Sequence, residues 1–582
     1  MMMQRVNNAL IITGFLVFLA LPFASYHLVT PNTVHKVMDN PERAALIESK
    51  LRGIMGNDIT NLTLQTKLSE AFDEANQSII IKYTLSDDQL HQLAKLMTAN
   101  RLNQETVDNL FTGETQEFLR SAFSNYGNWL YNKSYANNDV TVKLLAEVKT
   151  NIEKYEIEPK LGFDRYKKKN IKYTLAKASL EGPAVTYPWL LMFLTFGLII
   201  IGALGLSFDM LKEPAGIKNN DVYRHPATSR KWLGVIIGTF LIVFYIILYF
   251  YPQFMTSWIA LVDPISILLN GSAAGQFFLY GLLYTLCILV MGIRLIIKYR
   301  HNRYQIIRTI SVMFFQTTFA FILPEILVRL NQPYFDFKNI WPLDYDFFFD
   351  FELNKLIAGG NIGIFMLVWG IVLALIGVPI FTYLYGKRWY CSWVCGCGGL
   401  AETLGDPFRQ LSDKSLKAWK IEQGTIYSVM VFAVVMTIGV LYTYFTGAST
   451  VLGINTFAMR EVYGGLIGAG FAGIVGTGFY PFMGNRVWCR FGCPLAAYMG
   501  IIQRFKSRFR ITTNGGQCIS CGNCSTYCEM GIDVRSYAQK GENIVRASCV
   551  GCGVCAAVCP RGVLKLENST DDNRFVVNGF IK

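Results

Sequence analysis

Two cysteine runs of one spacing lie near the C-terminus: Cys518-x2-Cys521-x2-Cys524-x3-Cys528 and Cys549-x2-Cys552-x2-Cys555-x3-Cys559-Pro560. Three thiolates two residues apart can wrap neighbouring corners of one iron–sulfur cubane. In a two-cluster ferredoxin arrangement the fourth Cys of each run serves the other cluster. The spacing therefore assigns Cys518, Cys521, Cys524 and Cys559 to one [4Fe–4S] cluster, and Cys549, Cys552, Cys555 and Cys528 to a second. Gly522, Gly551 and Gly553 let the backbone curl close to the sulfide. A zinc module would instead show Cys pairs separated by a longer loop. Glu529 stands where a Pro is common, a departure expected to touch no ligand. Such clusters exchange single electrons. No nucleophile, base or substrate pocket can be named, so no catalytic residue is assigned.

Two further pairs, Cys391-x3-Cys395 and Cys489-x3-Cys493, each follow a basic residue and an aromatic, and Cys397 adds a thiol to the first. At i, i+4 both sulfurs of a pair would face one way on a helical turn. Three readings stay open: a metal or cofactor site, a redox dithiol, or buried structural thiols. If the pairs share a site, four soft ligands would hold a soft metal or a cluster. Thirteen of the 14 cysteines fall between Cys391 and Cys559, and residues 1–286 have none. A secreted disulfide scaffold would place them otherwise, so a reducing compartment is expected for the cysteine-rich part.

The elements that position these cysteines are apolar. Hydrophobic residues make up 52% of the 582 and charged residues 16%, which points to a membrane protein. The formal charge is +13, yet residues 27–184 hold 20 basic and 20 acidic side chains, so the excess lies elsewhere. It falls mainly in short connections between apolar segments, as expected of cytoplasmic loops, and argues against nucleic-acid binding. The first apolar stretch, residues 9–26, reads as a retained anchor, with a cleaved signal peptide as the rival reading. Seven more follow at about 189–211, 232–251, 275–297, 310–327, 361–385, 426–445 and 464–482, each long enough to cross a hydrocarbon core of roughly 30 Å.

The fold expected is thus an all-α polytopic membrane protein of about eight transmembrane helices. It carries an exported α-helical domain and a C-terminal dicluster ferredoxin domain of α+β type. The boundaries read as anchor 1–26, exported (periplasmic) helical domain 27–184, seven-helix membrane domain 185–503 with the two Cys pairs, and cytoplasmic ferredoxin domain 504–582. Both termini then face the cytoplasm. The loop 331–355 falls outside with Asp336, Asp344, Asp346, Asp350 and Glu352. Its aromatic residues read as an interfacial belt or, alternatively, a quinone or partner pocket. Glu325 and Arg329, four residues apart, read as an ion pair or a proton or quinone site. The glycines of the last span, Gly464 to Gly478, read as helix packing. His27, His35 and His91 have no cysteine partner, which excludes c-type haem there. His225 and His301 lie in inner loops, which excludes bis-histidine haem in the spans.

From about Tyr385 to Pro560 the chain resembles the NosR/NapH/CcoG group of membrane polyferredoxins. That resemblance implies electron transfer at the bacterial inner membrane, between a cytoplasmic or quinol donor and a respiratory or exported partner. An accessory factor that reduces metal during assembly of a respiratory metalloenzyme, or a subunit of a larger membrane complex, is the alternative. It carries over the eight ferredoxin cysteines and the pairs Cys391/Cys395 and Cys489/Cys493, the first of which lacks the group's Cys-Pro ending. Protein partners of a redox complex, and a quinone, follow from it. The group's covalent FMN is not expected: Ser449 replaces the attachment Thr, and the loop around it has no room for a flavin domain.

Overall fold

A long apolar run inside lipid must satisfy its own backbone N–H and C=O groups, and a helix does so residue by residue. In the computed structural model, which describes residues 2–111, 114–133, 138–216, 232–448, 450–514 and 517–568, seven helices are long and apolar enough to cross a membrane. These are Met2–Ala24, Pro188–Lys212, Trp232–Phe250, Gln276–Lys298, Arg303–Arg329, Gly360–Tyr385 and Leu416–Thr446. The eighth expected segment is also helical, through Thr456–Val462, Tyr463–Val475 and Gly476–Gly478. Its seven glycines contribute little hydropathy, so it does not stand among the seven. Wide π turns at Thr318–Ile322 and Leu373–Gly377 directly precede Pro324 and Pro379. A proline lacks the N–H and crowds the carbonyl four residues back, and widening the turn relieves both.

The chain divides into two units, Leu21–Tyr187 and the remainder. The first is mainly helical, with one core around Ile47, Leu68 and Phe72 and another around Met97, Phe111 and Phe123. Its helices start on side-chain caps, including capping boxes at Thr30, Ser86 and Asn103. The all-helical expectation for this region needs one correction. Tyr26–Leu28 is the central strand of a three-stranded antiparallel sheet, pairing with Asp58–Ile59 and with Leu180–Glu181.

In the second unit, one end of the helix bundle meets the ferredoxin domain. Tyr304 and Gln305, at the start of Arg303–Arg329, donate to the carbonyls of Gly551 (2.8 Å) and Cys552 (2.7 Å). Lys387, just beyond Gly360–Tyr385, donates to Ala547 O at 2.8 Å. The ferredoxin domain itself closes with an antiparallel ribbon, Phe509–Thr513 against Leu564–Asn568.

The other end holds two departures from expectation. The aromatic loop is no belt: Phe335, Phe347 and Phe349 are buried, and the segment dives into the bundle. Trp369 donates to Phe337 O at 3.1 Å, Trp341 to Thr437 Oγ1 at 3.0 Å, and Tyr390 to Lys338 O at 2.7 Å. Irregular backbone is tolerated at that depth because protein surrounds it. Glu325 and Arg329 do not pair with each other. The Glu325 carboxylate accepts from Asn270 at 2.6 Å, and Arg329 donates to the Leu268 carbonyl. Neighbouring backbone and amide groups reach these side chains first.

Candidate functional site

The two cysteine runs adopt one backbone shape twice. Residues on either side of the middle Cys have positive φ in both: Ser520 (59°) and Gly522 (80°), Gly551 (63°) and Gly553 (75°). Each run then enters a single helical turn, Asn523–Thr526 or Val554–Ala557. Around them lie two small cavities. The first is lined by Cys528, Cys549, Cys552 and Cys555, the second by Cys518, Cys521, Cys524 and Cys559. The fourth Cys of each run has crossed to the other run's cavity. Among the described residues no three of these sulfurs converge within 4.8 Å. A single tetrahedral ion, with bonds near 2.3 Å, would need them closer, so the spacing suits a cluster.

Burial pushes the thiols up, to about 11 for Cys524 and Cys549 and about 12 for Cys552. Backbone N–H groups counter this, as where Ile532 donates to Cys528 Sγ at 3.3 Å. A site built this way holds protons unless metal displaces them.

Glu529, expected to touch no ligand, needs the main correction. It is 1% exposed and accepts from Arg409 (2.7 Å) and Arg486 (3.1 Å). Burial alone would raise its carboxyl, but Arg409, Arg486 and Arg308 outweigh it and hold it below the ordinary range. Arg409 also reaches Cys552 Sγ at 4.0 Å and Asp406 at 3.4 Å, and Asp406 binds Lys298 (2.8 Å) and Arg294 (3.3 Å). Glu402 pairs with both Arg308 and Arg486. Sequence reading placed these arginines and lysines in short cytoplasmic connections and did not anticipate their burial. The available signal was the set of carboxylates Glu402, Asp406 and Glu422 interspersed among them, and the Glu that replaces Pro after Cys528.

Arg486 links this lattice to the second thiol group. Its guanidinium donates to Cys489 Sγ at 3.7 Å and to Cys391 O at 3.2 Å. The two Cys pairs do not sit on continuous helical turns as expected. Cys391 ends the helix Arg388–Cys391, and Cys395 caps the next, Gly396–Thr403. Cys489 lies in Val487–Phe491, and Cys493 caps Pro494–Lys506, accepting from Ala496 N–H at 3.4 Å. Each pair therefore straddles a break, and the second Cys of each stands at the N-cap of a helix.

All four sulfurs and Cys397 come within electrostatic reach of one another, and Cys395 and Cys397 share a hydrogen bond. Nor do the pairs rest at the membrane surface. A Cβ on Gly396 would lie 2.6 Å from Gln316 Oε1, 3.3 Å from Lys338 Nζ and 3.4 Å from Tyr284. Gln316 and Tyr284 stand near the middle of spans of 27 and 23 residues. The short helix after Cys395 turns back into the bundle, and Lys338 of the diving aromatic loop meets it from the far side.

Tyr284 also borders a cavity of about 330 Å³ between the spans, walled by Phe18, Phe196, Phe244, Tyr245 and Tyr280. Of the residues weighed for flavin attachment, Ser449 lies outside the described residues. So do His225 and the stretch 569–582 of the tail.

Comparison with known proteins bears on the same segments. A family described as "4Fe-4S dicluster domain" matches residues 517–564. One described as "4Fe-4S binding domain" matches residues 367–415 and 463–512, which contain the two Cys pairs. YccM of Escherichia coli (strain K12), named for electron transport, is 26% identical over 162 residues, 26% of this chain and 44% of its own. MauN of Methylobacillus flagellatus, a methylamine utilization ferredoxin-type protein, is 26% identical over 166 residues, 27% of this chain and 54% of its own. The chain thus spans about half the length of the curated relatives it matches. No solved structure matches.

Proposed function

We propose that this iron–sulfur protein passes single electrons along a membrane-anchored line of centres, between a cytoplasmic or quinol donor and a respiratory or exported partner. Cys518, Cys521, Cys524 and Cys559 hold one [4Fe–4S] cluster, and Cys528, Cys549, Cys552 and Cys555 the other. The observation that carries this is the pair of separate cavities, each walled by one of the two sets. When bound, such clusters take up and release one electron at a time. The residues around them fix their depth and charge: Tyr304, Gln305 and Lys387 anchor the 547–552 loop to the spans, and Arg409 sets positive charge beside Cys552.

Cys391, Cys395, Cys489 and Cys493 hold a further metal–thiolate centre, deeper in the bundle. The setting of the thiols supports it. Arg486, which pairs with Glu402 and Glu529, also donates to Cys489 Sγ at 3.7 Å. Lys338, 3.5 Å from Asp336, comes close to Gly396, between Cys395 and Cys397. A cation beside a thiol favours its anionic, metal-binding form.

The bundle carries eight spans in a bacterial inner membrane, with both termini in the cytoplasm. The tyrosine-bordered cavity beside Gly396 suits a quinone as the partner dissolved in the membrane: an apolar volume with hydroxyl groups that donate to carbonyl oxygens.

Anaerobic purification followed by iron and acid-labile sulfide analysis tests the proposal. Two clusters give about eight of each per chain, and a third gives about twelve. Cys521→Ser and Cys552→Ser should each remove about four iron. A preparation that binds only zinc rejects the reading. Iron unchanged in Cys489→Ser rejects the deeper centre and leaves the dicluster standing.

A further inference from the structure

We infer that a cleft beside the second cluster cavity is the docking site for an acidic one-electron carrier protein, an inference that rests on the electron-transfer reading above. The cleft, of about 500 Å³ and open to solvent, lies between the start of the Leu416–Thr446 helix and the ferredoxin domain. Its floor is formed by Gly531, Ala547 and Ser548. Gly531 is the third residue after Cys528, and Ser548 directly precedes Cys549. Met530, Ile532 and Cys549 face the cluster cavity on the other side of that floor. A partner seated in the cleft is therefore separated from the cavity by one thickness of main chain.

The walls carry four cations, Lys414, Arg504, Lys540 and Arg546, against two carboxylates, Asp533 and Glu542. Asp533 is already engaged by Ser525 Oγ at 2.7 Å. Arg504 and Lys540 are exposed, and so are Lys417 and Lys420 on the adjoining helix start. Trp419, with the Arg546 guanidinium 4.9 Å from its ring centroid, and Tyr537 supply rigid contact area of the kind enriched in protein interfaces.

Charge and electron count together select the occupant. A basic rim steers an acidic surface into contact. The cavity behind it is built for single electrons, so a donor that delivers hydride as an electron pair cannot feed it directly. The carrier's reduced flavin or iron–sulfur centre would give up one electron to the cluster that Cys528, Cys549, Cys552 and Cys555 would hold, with no bond made and no proton moved. Anionic lipid headgroups also favour basic clefts beside a span. Here, however, residues 531–548 of the ferredoxin domain supply the floor and much of the wall.

The test uses the full-length protein in discs of neutral lipid, mixed with a photoreduced acidic flavodoxin while the iron–sulfur absorbance is followed. Wild-type reduction should slow steeply as salt rises. Arg504→Glu with Lys540→Glu should lower the second-order rate about tenfold at low salt and flatten the salt dependence, and the alanine pair should lie between. Reduction by dithionite should be unchanged in all variants. Carrier rates within about twofold of wild type overturn the inference. So does a loss seen only in discs of anionic lipid, which would make the cleft a headgroup site. Failure of dithionite to bleach the wild type is a different result, and takes the electron-transfer reading down with it.

Discussion

Glu529 shows how much one residue can decide. Following Cys528 directly, it joins the ferredoxin domain to arginines from two other parts of the chain, Arg409 and Arg486, and Ser412 Oγ donates to its carbonyl at 2.7 Å. Removing its charge leaves two buried guanidiniums undercompensated, which typically costs about 3–5 kcal/mol. Glu529→Ala should therefore lower the thermal midpoint and expose the tail to protease. Glu529→Gln, equal in shape, should lose nearly as much. A Gln variant with the wild-type midpoint would show that packing, not charge, holds the domain. None of this is legible locally. The substitution of Glu for Pro is visible in the sequence, but its arginine partners lie 120 and 43 residues away.

Among the elements, the strand Tyr26–Leu28 carries a pH dependence. His27, 1% exposed, sits in register with Ile59 on one side and Leu180 on the other, its ring Nδ1 3.3 Å from Ser179 Oγ. Burial lowers its pKa from 6.5 to about 4, opposed by a hydrogen bond with the Ala176 backbone. Between those values the unfolded chain binds a proton that the fold refuses. Stability from this group is full above about pH 6.5 and drains away as pH falls towards 4, by about 3 kcal/mol at most. Unfolding of the Leu21–Tyr187 region followed against pH should show that decline, and His27→Gln should flatten it. The glycine-rich last helix was legible as a packing surface. A Cβ at Gly478 would stand 2.6 Å from Ile242 Cγ1, and one at Gly473 2.5 Å from Tyr249 Cε2.

For the whole molecule, the ends of several spans converge on the tail. Lys298 pairs with Asp406, Gln305 holds Cys552, Lys387 holds Ala547, and Gly216 N–H donates to Lys298 O at 2.7 Å. If Thr456–Gly478 carries the chain back to that side, the spans number eight. Labelling of single introduced cysteines in sealed vesicles should then reach position 166 only from outside and position 540 only from inside. Accessibility of both from one face would change the count and the assigned sides.

Sequence alone pointed to the grouping of the tail cysteines and to the seven long apolar helices, because both obey short-range rules. Cluster corners demand thiolates two residues apart, and a hydrocarbon core demands about 20 apolar residues in succession. The depth of the second thiol group was decided by tertiary structure, since the breaks at Cys395 and Cys493 turn helices back into the bundle where spacing alone suggested one continuous turn. The fate of the basic residues was decided there too. A lone arginine in a connection reads as solvated, and becomes a buried ion-pair partner only when folding brings a distant carboxylate against it. The aromatic loop is the third case: its rings suit an interface until the helices around it leave a space that they fill.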